Sequence, residues 1–303
     1  MGTVTALYRY PVKSMLGEGV IAAAVTEAGL CGDRAYAVLD ADGAVGSAKH
    51  PRKWGALLRC RSRQEASGAV RVALPDGTAW AVEDPELDVR LSTLLGREVF
   101  VSAPVPGHGG RLERAVPEYE GGLPEAARAS AGVDDTGVRI TTGSVAEGTF
   151  LDFGRVHLVT AAALARMRAV HPAGDFDARR FRPNLVVDTH EGPGFPEDAW
   201  TGSLLRVGEA LFRVAVATPR CVVPTLGHGE LPPDPALMRA VAREHRVPVF
   251  DLGRLSCLGV YLDVLEAGTV RVGDPIGLVS PGQAGSGAAP WARASSAGAS
   301  GSA

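Results

Sequence analysis

Lysine is nearly absent: Lys13, Lys49 and Lys53 are the only lysines in 303 residues, and arginine supplies the other basic side chains. With abundant Ala and Gly, this reflects a GC-rich coding sequence more than a function. Charge of one sign is also missing. The formal net charge is −3, which excludes a global basic field for nucleic acid or an anionic membrane. There are four cysteines, Cys31, Cys60, Cys221 and Cys257, none in a CxxC pair, so a paired-cysteine zinc site is excluded. The longest apolar run near the start, Val20 to Val25, is far short of the roughly 20 residues that span a bilayer. No charged n-region followed by an apolar h-region opens the chain. The expectation is a cytoplasmic protein with reduced thiols.

Catalytic motifs are equally scarce. There is no HExxH and no P-loop, and the GxG of Gly227-His-Gly229 lacks the strand–turn–helix setting of a dinucleotide fingerprint. The seven histidines are scattered singly. They are expected on the surface or at helix ends.

What is present is ordinary globular composition, 46% apolar and 21% charged, enough for one large domain or two moderate ones. Short alternating or apolar runs fill the first hundred residues: 4–10, 20–26, 35–39, 70–74 and 79–82. Turn signals at Asp40-Ala-Asp-Gly43 and Pro75-Asp-Gly77 predict hairpins, and one helix is expected over 86–95. Many short strands at this spacing favour a barrel or sandwich. Residues 104–135, rich in Gly, Pro and charge, read as a long surface connection. Beyond it, a strand over 156–159 runs into a helix over 161–170 capped by Thr160. Strands are expected over 185–187 and 211–216, and a helix over 235–245 with Pro235 in its first position. The run from 258 to 279 reads as a closing hairpin. From Pro281 the chain collapses to Gly, Ala and Ser, which predicts a disordered tail.

Polar stretches flank these strands. Tyr10-Pro-Val-Lys-Ser14 leaves the first one with an ammonium beside a hydroxyl. Gly32-Asp-Arg34 precedes the third and Ser47-Ala-Lys-His50 follows it. Arg179-Arg-Phe-Arg-Pro-Asn184 sets three guanidiniums directly before a strand, and Thr218-Pro-Arg-Cys-Val-Val-Pro-Thr225 holds a cysteine between two prolines. Each alone reads as solvated charge beside a turn, or as a packed thiol. Together they supply donors suited to a phosphate and the polar edge of a heteroaromatic ring.

In this order these stretches, with the closing LGVY…GTVRVGDP, resemble the MOSC family, in the branch with an N-terminal β-barrel domain that includes the mitochondrial amidoxime-reducing component and bacterial relatives. The match runs over about residues 4–279. It implies a mainly β (α+β) fold: an N-terminal barrel domain over 1–110, a MOSC β-barrel domain with a few peripheral helices over 111–280, and the tail over 281–303. It also implies a molybdenum–pyranopterin cofactor. On this resemblance Cys221 is the molybdenum ligand and catalytic centre. Lys13, Ser14 and Arg34 surround the pterin phosphate, and Lys49, Thr160, Arg180, Arg182, Asn184, Arg220 and Thr225 complete the cofactor site. Two prolines and a neighbouring Arg would fix the direction of the thiolate, a soft ligand suited to molybdenum.

The implied activity is reduction of a small N-hydroxylated compound. This chain has no cysteine cluster after Cys257, so electrons would come from a separate ferredoxin- or cytochrome-type protein. Alternatives are a cofactor or persulfide sulfur carrier, or a pathway-specific enzyme for C–S or N–O chemistry. No nucleic acid or membrane partner is expected. The stretch 226–236 departs from the acidic loop of the vertebrate relatives, which leaves the substrate open.

Overall fold

The computed structural model of the protein describes residues 2–105, 110–116, 131–145, 148–250 and 252–279. Its centre is a closed barrel of seven strands. The order is Val156–Thr160, Leu185–Asp188, Gly2–Arg9, Pro275–Val279, Leu204–Val207, Ala210–Pro219 and Arg254–Glu266, the last pairing back onto the first. Closure removes the exposed strand edges. The inward side chains, among them Val4, Leu7, Leu158, Leu185, Phe212 and Leu262, form one core.

The first strand of the chain therefore completes a barrel whose other members come from beyond residue 155. Strands Val156–Thr160 and Leu185–Asp188 are parallel neighbours. They are joined by the helix Ala161–Val170 and the turn Ala178–Phe181, as a parallel pair requires a crossover. Every residue of Val156–Thr160 is buried, since that helix covers its outer face. Phe176, Phe181, Leu164, Met167 and the helix Leu237–Glu244 form the second layer.

A six-stranded sheet stands beside the barrel, in the order Val99–Ser102, Ala37–Asp40, Ala44–Val45, Arg111–Ala115, Arg139–Ser144 and Ala131–Val133. The meander Arg61–Gln64, Val70–Ala73, Ala79–Ala81 and the helix Pro85–Leu95 close its core around Trp54, Leu57, Val72 and Leu87. Asp84 caps that helix through the Glu86 amide and Gly96 ends it with a left-handed turn.

Several expectations are corrected. The 104–135 segment contains two strands, Arg111–Ala115 and Ala131–Val133, that pair with Arg139–Ser144; β pairing overrides its Gly-rich composition. The 258–279 run is not a hairpin. Gly268–Arg271 pairs with Ala22–Thr26, and Pro275–Val279 pairs with Gly2–Arg9 and Leu204–Val207. The last helix begins at Leu237, so Pro235 lies ahead of it. His157 and His228 are buried away from any helix end rather than superficial, while His50 and His245, though buried, stand at helix ends as expected. The tail expected from Pro281 lies outside the described residues. Among the described residues, no helix is long and apolar enough to cross a membrane.

Candidate functional site

Where the first strand ends, the chain turns through Tyr10–Ser14, and Lys13 donates its amide to the Tyr36 carbonyl at 2.8 Å. Ser14 adopts a left-handed φ of 65°. Its Oγ accepts from the Ala48 amide at 3.0 Å and faces the Gly46 carbonyl at 3.4 Å, tying the turn to the 46–48 segment. The Lys13 ammonium is buried and donates to the Phe150 carbonyl at 2.7 Å and to Asp152 at 2.6 Å. The second oxygen of Asp152 takes Lys49 at 2.8 Å.

Arg34 and Arg182 are also left-handed, at φ 48° and 54°. Backbone in this region costs non-glycine residues of order 1–3 kcal/mol and persists where its surroundings over-determine it. Here they do. The Arg34 guanidinium is paired with Asp33, whose other oxygen accepts from the Tyr10 amide at 2.8 Å. Arg182 donates to the Met15 carbonyl at 2.7 Å. Both guanidiniums lie over the Tyr10 ring, 4.6 and 4.3 Å from its centroid.

The cysteine arrives from the barrel. Three irregularities bend the pairing of Ala210–Pro219 with Arg254–Glu266, the last between Ala217 and Pro219, and such bulges re-aim the residues that follow them. Arg220 then donates its amide to Ser256, one guanidinium N–H to the Phe181 carbonyl at 2.8 Å, and another toward His157 Nε2 at 3.3 Å. Cys221, half-buried, packs with Ala48, Leu58 and Val223.

These groups face one cavity of about 110 Å³, walled by Lys13, Ser14, Arg34, Lys49, Arg182, Arg220 and Cys221. Its charge is lopsided. Five cations share the wall with one carboxylate, Asp152. Burial lowers the Lys13 ammonium to about 8 against the pull of Asp152, and burial beside Arg34 lowers Arg182 to about 10. Burial would raise the Asp152 carboxyl, but Lys13 and Lys49 hold it far below the usual range. Burial and Arg220 push His157 well down, so its ring is neutral.

Four of the residues assigned by resemblance do not line that cavity. Thr160 caps the Ala161 helix through the Ala163 amide and donates to Glu197 at 2.7 Å. Arg180, with no exposed surface, reaches the carbonyls of Leu226 and Pro232 and so holds the loop after the cysteine. Asn184 bridges Tyr8 and His157 between strands. Thr225 donates to the Val222 carbonyl. Conversely Asp152, His157 and Tyr261 line it without having been picked out. Tyr261 stood in a noted motif, but a lone Asp in Phe150–Gly154 carries no spacing signal.

A separate cluster, His50, Glu113 and Asp134, brings three ligand-type atoms within 4.8 Å. His50 Nε2 already meets Asp134 at 2.6 Å, and Glu113 is taken by Lys53 and Arg111. It reads as a buried ionic clip.

Two family models match the chain. The MOSC N-terminal beta barrel domain covers residues 1–96 and the MOSC domain covers residues 147–277. The chain belongs to the MOSC family. That family is associated with molybdenum-cofactor proteins. No curated protein matches the chain. Among solved structures, the MOSC chain is similar to the YuaD protein of Bacillus subtilis, with 12% identity, TM-score 0.43, and 91% of this chain and 93% of that one covered. It is also similar to YiiM of Geobacillus stearothermophilus, with 19% identity, TM-score 0.33, and 50% and 72% covered. YiiM of Escherichia coli gives 22% identity, TM-score 0.30, and 42% and 55% covered.

The donor set of this MOSC chain fits a phosphorylated, thiolate-ligated cofactor. Five cations and a hydroxyl meet an anion, and a cysteine stands at the same wall. Two buried N–H groups there, Arg182 Nη2 and Arg220 Nε, have no hydrogen-bond partner among the described residues. Buried donors left unpaired are rare, so a ligand accepting from them is the economical reading.

Proposed function

We propose that the chain is a molybdenum cofactor-dependent oxidoreductase that reduces N-hydroxylated compounds, with the Cys221 thiolate as metal ligand and electrons drawn from a separate redox protein. The observation that carries this reading is the cluster of Lys13, Ser14, Arg34, Lys49, Arg182 and Arg220 around Cys221 on one cavity. When bound, the cofactor supplies the two-electron chemistry, in which N–OH becomes N–H and the oxygen leaves as water with two protons.

The chain's own residues bind and orient. Lys13, Ser14 and Arg34 would hold the phosphate. Arg34 is kept charged by Asp33 and held over Tyr10. Lys49 and Arg220 set two cations within electrostatic reach of the Cys221 sulfur. Arg220 also fixes the approach of the loop through the Phe181 carbonyl.

The test is metal and pterin analysis of protein made in a host competent for cofactor synthesis, followed by anaerobic assay with a small N-hydroxylated amidine and a chemical reductant. About one molybdenum per chain is expected, with amidine as product. Losing a charge-assisted contact of about 1.5–3 kcal/mol, Arg34→Ala is expected to retain less cofactor. Metal-free protein from that host, or a loaded protein inert toward N–O bonds, overturns the reading.

A further inference from the structure

A second cavity, of about 340 Å³, shares Arg182 with the first and no other residue. Its volume falls in the range of small-ligand clefts, roughly 300–1,000 Å³. Tyr8 and Tyr10 of the first strand form one wall, His228, Glu230 and Leu231 another, and Arg61 and Arg179 stand beside Glu230. Gly17 runs so close that a Cβ there would lie 2.6 Å from the Tyr10 ring. Nothing in the proposed catalysis uses this space.

Three of its wall residues carry a buried polar atom with no partner among the described residues: Tyr10 Oη, Arg182 Nη2 and His228 Nε2. Buried polar atoms left unpaired are rare, and three around one cavity mark a ligand rather than a packing accident.

Their chemistry is specific. Arg182 can only donate. His228 Nδ1 lies 3.0 Å from the Leu226 carbonyl, which can only accept, so Nδ1 holds the proton and Nε2 is a bare acceptor. Burial lowers the ring to about 4, which keeps it neutral. The Tyr10 hydroxyl, pushed up by burial, keeps its proton and can donate. A carboxylate or phosphate would satisfy the two donors but set an anion against the His228 lone pair. A group with a carbonyl beside an N–H answers all three.

We propose that the 340 Å³ cavity binds the lactam edge of a pyrimidinone-type heterocycle, the ring N–H donating to His228 Nε2 and the carbonyl accepting from Arg182 and Tyr10. Two sources carry this edge: the pterin of the proposed cofactor, or a free purinone or pyrimidinone ligand. The site stands on its own geometry and does not require the cofactor reading to hold.

The test titrates protein from a host that makes no molybdenum cofactor with pterin-6-carboxylate, whose own fluorescence reports binding. Saturable binding is expected, weakened about tenfold in His228→Leu and in Tyr10→Phe, as the loss of one buried hydrogen bond implies. Tyr10→Phe removes a hydroxyl with no partner among the described residues, so its melting temperature is expected to hold, which separates lost binding from lost folding. No saturable binding, or unchanged affinity in both variants, overturns the proposal.

Repeating the titration on cofactor-loaded protein names the source. If the cofactor's pterin fills the cavity, the probe no longer binds and His228→Leu is purified with less pterin. If the ligand is free, loaded protein binds the probe as before. Protein that never acquires cofactor yet binds the probe overturns the proposed function and leaves this site in place.

Discussion

Asp152 lies between two lysines, with one carboxylate oxygen 2.6 Å from Lys13 and the other 2.8 Å from Lys49. It is the lone anion on a wall of five cations, so it holds the apo site together and competes with any incoming anion. Asp152→Asn is expected to lower apo stability by about 1–3 kcal/mol, an ion pair that is partly open to solvent being worth less than a fully buried one. Inorganic phosphate should restore the melting temperature of the variant more than that of the wild type. Equal phosphate shifts in both would show that the cations do not share one anion site.

Lys13 gives that site a pH signature. Its folded pKa, about 8, is below the ordinary 10.5 because of burial. Between these values the unfolded chain holds more protons, so this group makes stability rise with pH. An anion beside Lys13 favours the charged form, so phosphate binding at pH 8–9 should take up protons and weaken as pH rises. Calorimetry in two buffers of different ionisation enthalpy reads the uptake directly. Proton release on binding would contradict the assignment.

The folding is legible in the sequence where periodicity and turn chemistry act locally. The helix over 161–170 with its Thr160 cap, the Asp40–Gly43 turn and the strands over 70–82 need only neighbours along the chain. The closure of the barrel does not. Gly2–Arg9 finds Leu185–Asp188 across some 180 residues, and no local signal names that partner. The site divides the same way. Lys13, Arg34 and Cys221 were visible as polar residues beside strand ends, whereas Asp152 and His157 join them only through tertiary packing. Thr160, Arg180, Asn184 and Thr225 carried motif identity but turn out to bind backbone and neighbouring side chains.

Glu197 is a buried acid raised to about 7 by desolvation, with Thr160 donating to one oxygen and the other without a partner among the described residues. Because its folded pKa exceeds the ordinary 4.5, its contribution to stability is full below pH 4.5 and is lost as pH rises through 7. Glu197→Gln keeps an acceptor for Thr160 and removes the charge. The variant is expected to be more stable than wild type at pH 8, by about 1–3 kcal/mol, and to match it near pH 4.5. A variant less stable at both pH values would contradict this.

The four thiols separate by burial. Cys60 and Cys257 are inaccessible and pushed up to about 12 by burial, while Cys31 is exposed and Cys221 is half-buried. Iodoacetamide on native protein, read by peptide mass, should label Cys31 and Cys221 and spare the other two. Cofactor loading should protect Cys221 alone.

The central claim is that Cys221 ligates molybdenum, and X-ray absorption at the molybdenum edge tests it most directly. Wild-type and Cys257→Ser proteins, loaded in the same host, are expected to show the same sulfur shell, and Cys221→Ser one sulfur fewer, because a hard oxygen replaces a soft thiolate. An unchanged sulfur shell in Cys221→Ser, or its loss in Cys257→Ser, would contradict the account.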